Sequence, residues 1–276
     1  MSGTLTARPP RLAIGILAHQ RPELVRALIE ALASDDIAIV LHVDASSAFS
    51  PDAYLPDDAS CVTLVEPRLA VRWGAVSLID AIIAIMRTAR ELRPEYYSLI
   101  SGVCWPTRTP DQIVERLCGS GQAAFLSISP LRAGWSGRLD QFHLTRDLPG
   151  PLRRAEIRVR IRLPLRNRDR IPPAYGGSTW MDLRGDVLDW LVDRIDADPG
   201  YRRAFAFTHL SDEIFIHTLL MDSPYRDELV AVNDPDQHLL GLRYIRWQGG
   251  WHPETLTAAD LEAAGRADCI FARKLP

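Results

Sequence analysis

Two adjacent carboxylates, Asp212 and Glu213, stand between Ser211 and the apolar run Ile214-Phe215-Ile216. With Ser211 at an N-cap, both acids fall in the first turn of a helix, where negative side chains suit the positive end of the dipole. Ile214, Phe215, Thr218 and Leu219 then bury one face of that helix. Two roles are open to the pair: both acids serve the helix start, or one is a general base held still beside a substrate. The basic pair Arg273-Lys274 has a similar duality. It is a solvated tail, or it is a cationic site fixed by the apolar Ile270-Phe271-Ala272 before it and able to neutralise a diphosphate. Asp44, closing His42-Val43-Asp44, suits ribose or base recognition, and equally suits capping of the turn at 45–47. No Asp-x-Asp pair ends a strand, so a bound diphosphate would have to be met by basic side chains.

The elements that must position these groups alternate. Continuous apolar runs predict buried strands at 12–18 and 37–43, with shorter ones at 62–65, 96–100 and 123–128. Periodic segments at 22–33, 76–92 and 110–117 predict helices between them. That alternation implies a mostly parallel α/β sheet covered on both faces, with ligands outside the carboxyl ends of the strands. His19 follows the first such end, Asp44 the second, and Ser101-Gly102-Val103-Cys104 the fourth. The pattern breaks over 129–177, where Arg153, Arg154, Arg158, Arg160, Arg162, Arg166, Arg168 and Arg170 crowd together. That stretch reads as a surface loop, or as a basic lid or docking face for an anionic substrate or a membrane surface. Regularity returns with a strand at 177–183 and a helix at 185–195. Further strands are expected at 229–232, 242–245 and 269–272, and a helix at 258–264.

The bulk properties narrow the class. The 276 residues are 47% hydrophobic, enough for one large α/β domain. The expected organisation is one domain, with a first half at 11–128, the Arg-rich insertion at 129–176 and a second half at 177–276. A net charge of −3 argues against a nucleic-acid partner. Cys61, Cys104, Cys118 and Cys269 are scattered, with no Cys-x-x-Cys pair, which argues against a structural zinc site or a disulfide scaffold. No apolar run reaches a membrane-spanning length and residues 1–10 show no signal-peptide core. The expected location is therefore cytoplasmic, with peripheral contact at the inner membrane face through 153–170. Ala18-His19-Gln20-Arg21-Pro22 contains no glycine-rich turn, which weakens dinucleotide, ATP and methyltransferase readings.

Taken in order, several segments resemble one family. They are Ile39-Val40-Leu41-His42-Val43-Asp44, Trp73-Gly74-Ala75-Val76-Ser77-Leu78, and Tyr97-Ser98-Leu99-Ile100-Ser101-Gly102 with Pro106. Gly177-Ser178-Thr179-Trp180, Ser211-Asp212-Glu213, Arg246-Trp247-Gln248 and Phe271-Ala272-Arg273-Lys274 complete the series. Each is weak alone, but their order and spacing are similar to the core-2/I-branching β-1,6-N-acetylglucosaminyltransferases and peptide O-xylosyltransferases, glycosyltransferase family 14. The resemblance implies a GT-A-like Rossmann-type fold and inverting transfer from a UDP-sugar co-substrate, with N-acetylglucosamine favoured over xylose and no metal or other cofactor required. It implies nucleotide binding in the half at 11–128 and acceptor binding with catalysis in the half at 177–276. It implies that Glu213 is the catalytic base and that Asp44 contacts the uridine. It places Arg273 and Lys274 on the diphosphate, Ser178 and Trp180 beside the donor, and Trp247 in the acceptor site. His19, Ser101, Gly102 and Cys104 are expected on the donor side and Asp212 on the acceptor side. The implied partners are the donor and a glycan, polysaccharide or lipid-linked acceptor. Two departures stand out. Cys104 occupies the carboxylate position of a Ser-Gly-x-Asp-x-Pro pattern. Trp251 falls where the branching enzymes carry an arginine, a role that Arg243 or Arg246 could supply. A catalytically weak sugar-nucleotide or glycan-binding protein on the same fold is the alternative reading.

Overall fold

The computed structural model describes residues 8–131, 135–143, 168–229, 241–247 and 253–276. Four parallel strands form its centre: β1 (Leu12–Ala18), β2 (Ile37–Val43), β3 (Val62–Leu64) and β4 (Tyr96–Ser101). β1 pairs with β2 from Leu12↔Ile37 to Ala18↔Val43 and with β4 from Leu12↔Tyr96 to Leu17↔Ser101. β3 joins the far side of β2. The remaining strands are short: β5 (Cys104–Pro106), β6 (Ala124–Phe125), β7 (Ser129–Pro130), β8 (Tyr175–Gly176), β9 (Asp182–Arg184), β10 (Arg243–Ile245) and β11 (Phe271–Arg273). The central sheet runs β3-β2-β1-β4-β9-β6. β9 is antiparallel to both its neighbours, so it alone opposes the other five.

The helices are α1 (Pro22–Ala31), α2 (Val76–Glu91), α3 (Pro110–Cys118), the single turn α4 (Gly137–Asp140), α5 (Gly185–Ala197), α6 (Pro199–Ala204), α7 (Phe215–Met221) and α8 (Ala258–Arg266). Pro22 and Pro110 open their helices where a missing N–H costs nothing, and Thr109 with Gln112 closes a capping box on α3. Strand alternation decides which helix meets which face. Leu12, Ile14 and Ile16 of β1 pack with Val25 and Leu28 of α1 and Ile113 and Leu117 of α3. Ala13 of β1 and Val40 of β2 face Ile82 and Met86 of α2, Leu191 of α5 and Phe215 of α7. Covering both faces is why β1 and β2 read as nearly unbroken apolar runs. Each fully buried aliphatic chain contributes about 1.5–3 kcal/mol to that sandwich.

The expected strand at 269–272 does not extend the main sheet. β11 lies between β10 and β5 in a second, three-stranded sheet, parallel to β10 and antiparallel to β5. A buried ion pair joins the two sheets. Arg243 of β10 and Asp182 of β9 are essentially inaccessible to solvent and meet through two bonds of 2.7 and 2.9 Å. The strand expected at 177–183 is β9, displaced to the end of that range, and residues 177–180 form an extended strap instead. The helix expected after Ser211 also starts later. Leu210 adopts a left-handed conformation (φ 51°), Ser211–Glu213 form one 3-10 turn, and α7 begins at Phe215. Ser211 therefore caps nothing, and its buried hydroxyl has no partner. Arg153, Arg154, Arg158, Arg160, Arg162, Arg166, Trp251 and most of the strand expected at 229–232 lie outside the described residues. Among the described residues, no helix is long and apolar enough to cross a membrane.

Candidate active site

The carboxyl ends of β1, β2 and β4 open into a cleft of about 770 Å³. That is the crevice where a parallel sheet exposes its strand ends, and it falls where the order reverses between β1 and β4. Residues of the β11–β10 edge, of the strap 176–180 and of the 211–213 turn line it, and the edge and strap touch where Arg273 lies over Trp180. Of the residues expected in the site, His19, Asp44, Ser101, Ser178, Trp180, Asp212, Glu213, Trp247, Arg273 and Lys274 line this one cleft. Gly102 and Cys104 lie behind its lining. Gly102 lets β4 turn beneath α1, because a Cβ there would sit 2.7 Å from Val25 Cγ2. Cys104 is fully buried, 3.3 Å from the Ser101 hydroxyl.

At the β2 end, Asp44 Oδ1 accepts from the Ser46 backbone (2.7 Å), the Ser46 hydroxyl (2.6 Å) and the Val71 N–H (3.2 Å). Burial by itself pushes this carboxyl up, but those hydrogen bonds outweigh it and hold Asp44 below the usual range. It is an anion in the cleft wall. His42 lies on the same face of β2, and its Nε2 accepts from Leu69 N–H at 3.2 Å. That contact leaves the ring proton on Nδ1, which is buried without a partner.

The cationic side comes from β11. Its register sets Arg273 opposite Cys104 on one flank and Ile245 on the other. The guanidinium lies 4.4 Å from the centroid of Trp180, and its buried Nε has no hydrogen-bond partner. Burial lowers its pKa. Among the described residues, no carboxylate forms an ion pair with Arg273 or Lys274. The two arginines proposed to replace the missing one are both engaged elsewhere. Arg243 is locked to Asp182, and Arg246 pairs with Asp260 and Glu254. Neither lines the cleft.

The 211–213 turn carries the two acids. Gly177 allows the strap to pack beside it: a Cβ there would meet the Ser127 carbonyl oxygen at 1.9 Å, and the Gly177 N–H donates to the Glu213 carbonyl at 2.9 Å. Asp212 is not a cap. One of its oxygens accepts from the Thr179 hydroxyl at 2.7 Å, and the other is buried without a partner. Burial raises its pKa. Glu213 is raised as well, first by burial and then by the charge of Asp212. Arg138 of α4 opposes that shift through an ion pair of 2.6 Å. A raised carboxyl facing a cleft is the electrostatic condition for a general base near neutral pH. Behind the strap, His217 Nε2 meets the Ser178 carbonyl at 3.0 Å, and full burial pulls its pKa down to about 4.

Sequence reasoning did not find Arg138 or its platform Trp135, whose ring lies 3.8 Å beneath the guanidinium. Their segment carries no period or motif that would have marked them. Trp73, which in sequence only belongs to one of the matching segments, is exposed at the cleft rim, with its ring edge-on to His209. Among the described residues, no three His, Cys, Asp or Glu side chains are grouped to hold a metal ion.

The sequence profile of the Core-2/I-Branching enzyme family matches residues 16–265. Xylosyltransferase 1 of Homo sapiens is 25% identical over 239 residues, 83% of this chain and 24% of the relative. Xylosyltransferase 1 of Rattus norvegicus is 25% identical over 236 residues, 82% of this chain and 27% of the relative. The chain thus spans about a quarter of the length of the curated relatives it matches. Mouse xyloside xylosyltransferase 1, solved in its apo form, aligns with 82% of this chain and 85% of its own at 13% identity and a TM-score of 0.37. With the profile covering nearly the whole sequence, the chain belongs to the Core-2/I-Branching enzyme family of glycosyltransferases.

Proposed function

We propose that the protein is an inverting glycosyltransferase that moves a sugar from a UDP-sugar to a hydroxyl of a glycan or other acceptor without a metal ion. The observation that carries this reading is the division of charge in one cleft. A burial-raised carboxyl, Glu213, lines the same cleft as Arg273 and Lys274, two cations without carboxylate partners among the described residues. In the proposed step, Glu213 takes the acceptor O–H proton as that oxygen attacks the anomeric carbon. The bond from that carbon to the UDP oxygen breaks, and the electron pair leaves with UDP. Arg273 and Lys274 stabilise the charge that develops there. Asp44 meets the uridine end, and Ser178 and Trp180 border the donor. Trp247, half-exposed at the mouth, offers an apolar face to the acceptor sugar. The named relatives are xylosyltransferases, so xylose stands beside N-acetylglucosamine as the donor sugar.

The test is UDP release with a panel of UDP-sugars and acceptors, using Glu213→Gln. Loss of the base lowers kcat by about 10²–10⁴-fold while UDP binding persists. Near-normal turnover in that variant removes Glu213 from the role. Turnover should also survive excess EDTA, and strict metal dependence would overturn the assignment of charge neutralisation to Arg273 and Lys274.

A further inference from the structure

Arg138 is joined to the proposed base by a closed ring of contacts. Its guanidinium pairs with the Glu213 carboxylate at 2.6 Å and lies over Trp135, 3.8 Å from the ring centroid. Trp135 in turn packs against Gly176, where a Cβ would stand 3.4 Å from its ring edge. The next residue, Gly177, donates its N–H to the Glu213 carbonyl. From its other end, Arg138 accepts the His209 N–H on its own carbonyl, just before Leu210 turns the chain into the 211–213 segment. Both the side chain and the backbone of the turn are thus held by one short segment, Trp135 to Arg138. An exposed ion pair is rarely worth much, but this one is mostly shielded and set over an indole, which preorganises the guanidinium.

We propose that Arg138 is a positioning residue: it fixes the rotamer of the Glu213 carboxylate and keeps it ionised between turnovers, with Trp135 as its platform. This rests on the reading of Glu213 as the base. Among the described residues, the charged groups facing Glu213 are Arg138 and Asp212, the latter held by Thr179. Arg138 is the single cation of that set. Without it, burial and Asp212 both act to protonate Glu213, so the base is lost at higher pH than in the parent protein.

The experiment is a pH–rate series of UDP release for the parent protein, Arg138→Met, Arg138→Lys and Trp135→Leu, each checked for folding by its UDP-induced thermal shift. Arg138→Met should move the acid limb of kcat/KM up by about 1–2 pH units and lower kcat at least tenfold, with donor KM within about twofold. Arg138→Lys keeps the charge and should leave the limb in place, while kcat falls because the planar guanidinium is lost. Trp135→Leu should lower kcat in the same way. Adding Arg138→Met to Glu213→Gln should cost nothing further, because the two residues act as one unit. An unmoved limb with kcat within twofold of the parent in Arg138→Met overturns the inference, as does a full additive loss in the double variant. The reading of Glu213 fails separately: a nearly normal Glu213→Gln removes the base, whereas an inert Glu213→Gln beside a normal Arg138→Met removes only the positioning role.

Discussion

Arg243 tests whether a basic residue near the site serves structure or ligand. Its side chain is 1% exposed and that of Asp182 is 0% exposed. The guanidinium makes two bonds to the carboxylate and also donates to the Gly241 carbonyl (2.8 Å), the Ser98 hydroxyl (3.2 Å) and the Leu99 carbonyl (3.3 Å). Arg243→Met leaves Asp182 buried with only the Ser98 hydroxyl, at 2.5 Å, to satisfy it. Removing one member of a buried pair costs about 3–5 kcal/mol. Native stability is about 5–15 kcal/mol, so the loss is a large fraction of it. At about 2–4 °C per kcal/mol for a chain of this size, the melting temperature should fall by about 6–20 °C. Removing both charges with Arg243→Met and Asp182→Leu should restore most of the stability, because well-packed apolar residues replace a buried pair at little cost. The assay is urea unfolding with thermal melts, alongside UDP binding in the cold, where the single variant is still folded. A single-variant cost under about 1 kcal/mol would refute the reasoning. So would a double variant less stable than the single one, or a selective loss of UDP binding in folded protein.

Two other predictions concern the cleft. His217 is neutral in the fold with a pKa of about 4, and an unfolded histidine titrates near 6.5. Between those values the unfolded chain binds a proton that the native one refuses, so His217 makes stability fall as pH drops from about 6.5 toward 4, by about 3 kcal/mol in all. Urea unfolding across that window should show a shallower pH slope in His217→Leu, and an identical slope would refute the assignment. For Arg273→Met, UDP at about 100 times the parent Kd should lose its stabilising effect, which is about 2.7 kcal/mol or 5–10 °C in the parent. The ligand-free variant should melt close to the parent, because loss of the Trp180 and Cys104 contacts is offset by removal of a buried Nε without a partner. A variant that melts earlier yet keeps the UDP shift would contradict both halves.

Much of this arrangement was legible from residues alone, and the failures have physical causes. β1 and β2 were readable to the residue because both faces are covered, so only His42, near the end of β2, interrupts their apolar runs. That Asp44 and Arg273-Lys274 reach one cleft was legible because they stand at the ends of buried strands, which fixes where those side chains go. The Ser211 cap was misread because Leu210 turns left-handed, a conformation a leucine seldom adopts and one that propensity gives no reason to expect. Asp212 was read as a capping acid for the same reason, whereas its carboxylate faces Thr179. Arg243 and Arg246 look alike in sequence, three residues apart. Strand alternation with an odd offset separates them: one faces Asp182 inside and the other Asp260 near the surface. Arg138 had no signal, since a four-residue turn has no period to read.

The two arginines that close the small sheet frame the charge balance of the site. Arg243 of β10 and Arg273 of β11 come from adjacent, parallel strands. One has an internal counter-ion, Asp182, and so has no need of a ligand. The other lies in register with Cys104, at the position where the resembled family carries an aspartate. A carboxylate there would offer Arg273 an internal anion. The Cys104 thiol gives it a hydrogen bond in place of a carboxylate's ion pair, and the face of Trp180 lies 4.4 Å from the guanidinium. An indole face tolerates a cation without neutralising it. On the proposed function, the compensating anion for Arg273 is the donor diphosphate, which would also meet Lys274. On this reasoning the substitution at Cys104 shifts part of the cost of holding Arg273 from folding to binding, and ties occupancy of the donor site to the stability of the wall that forms it.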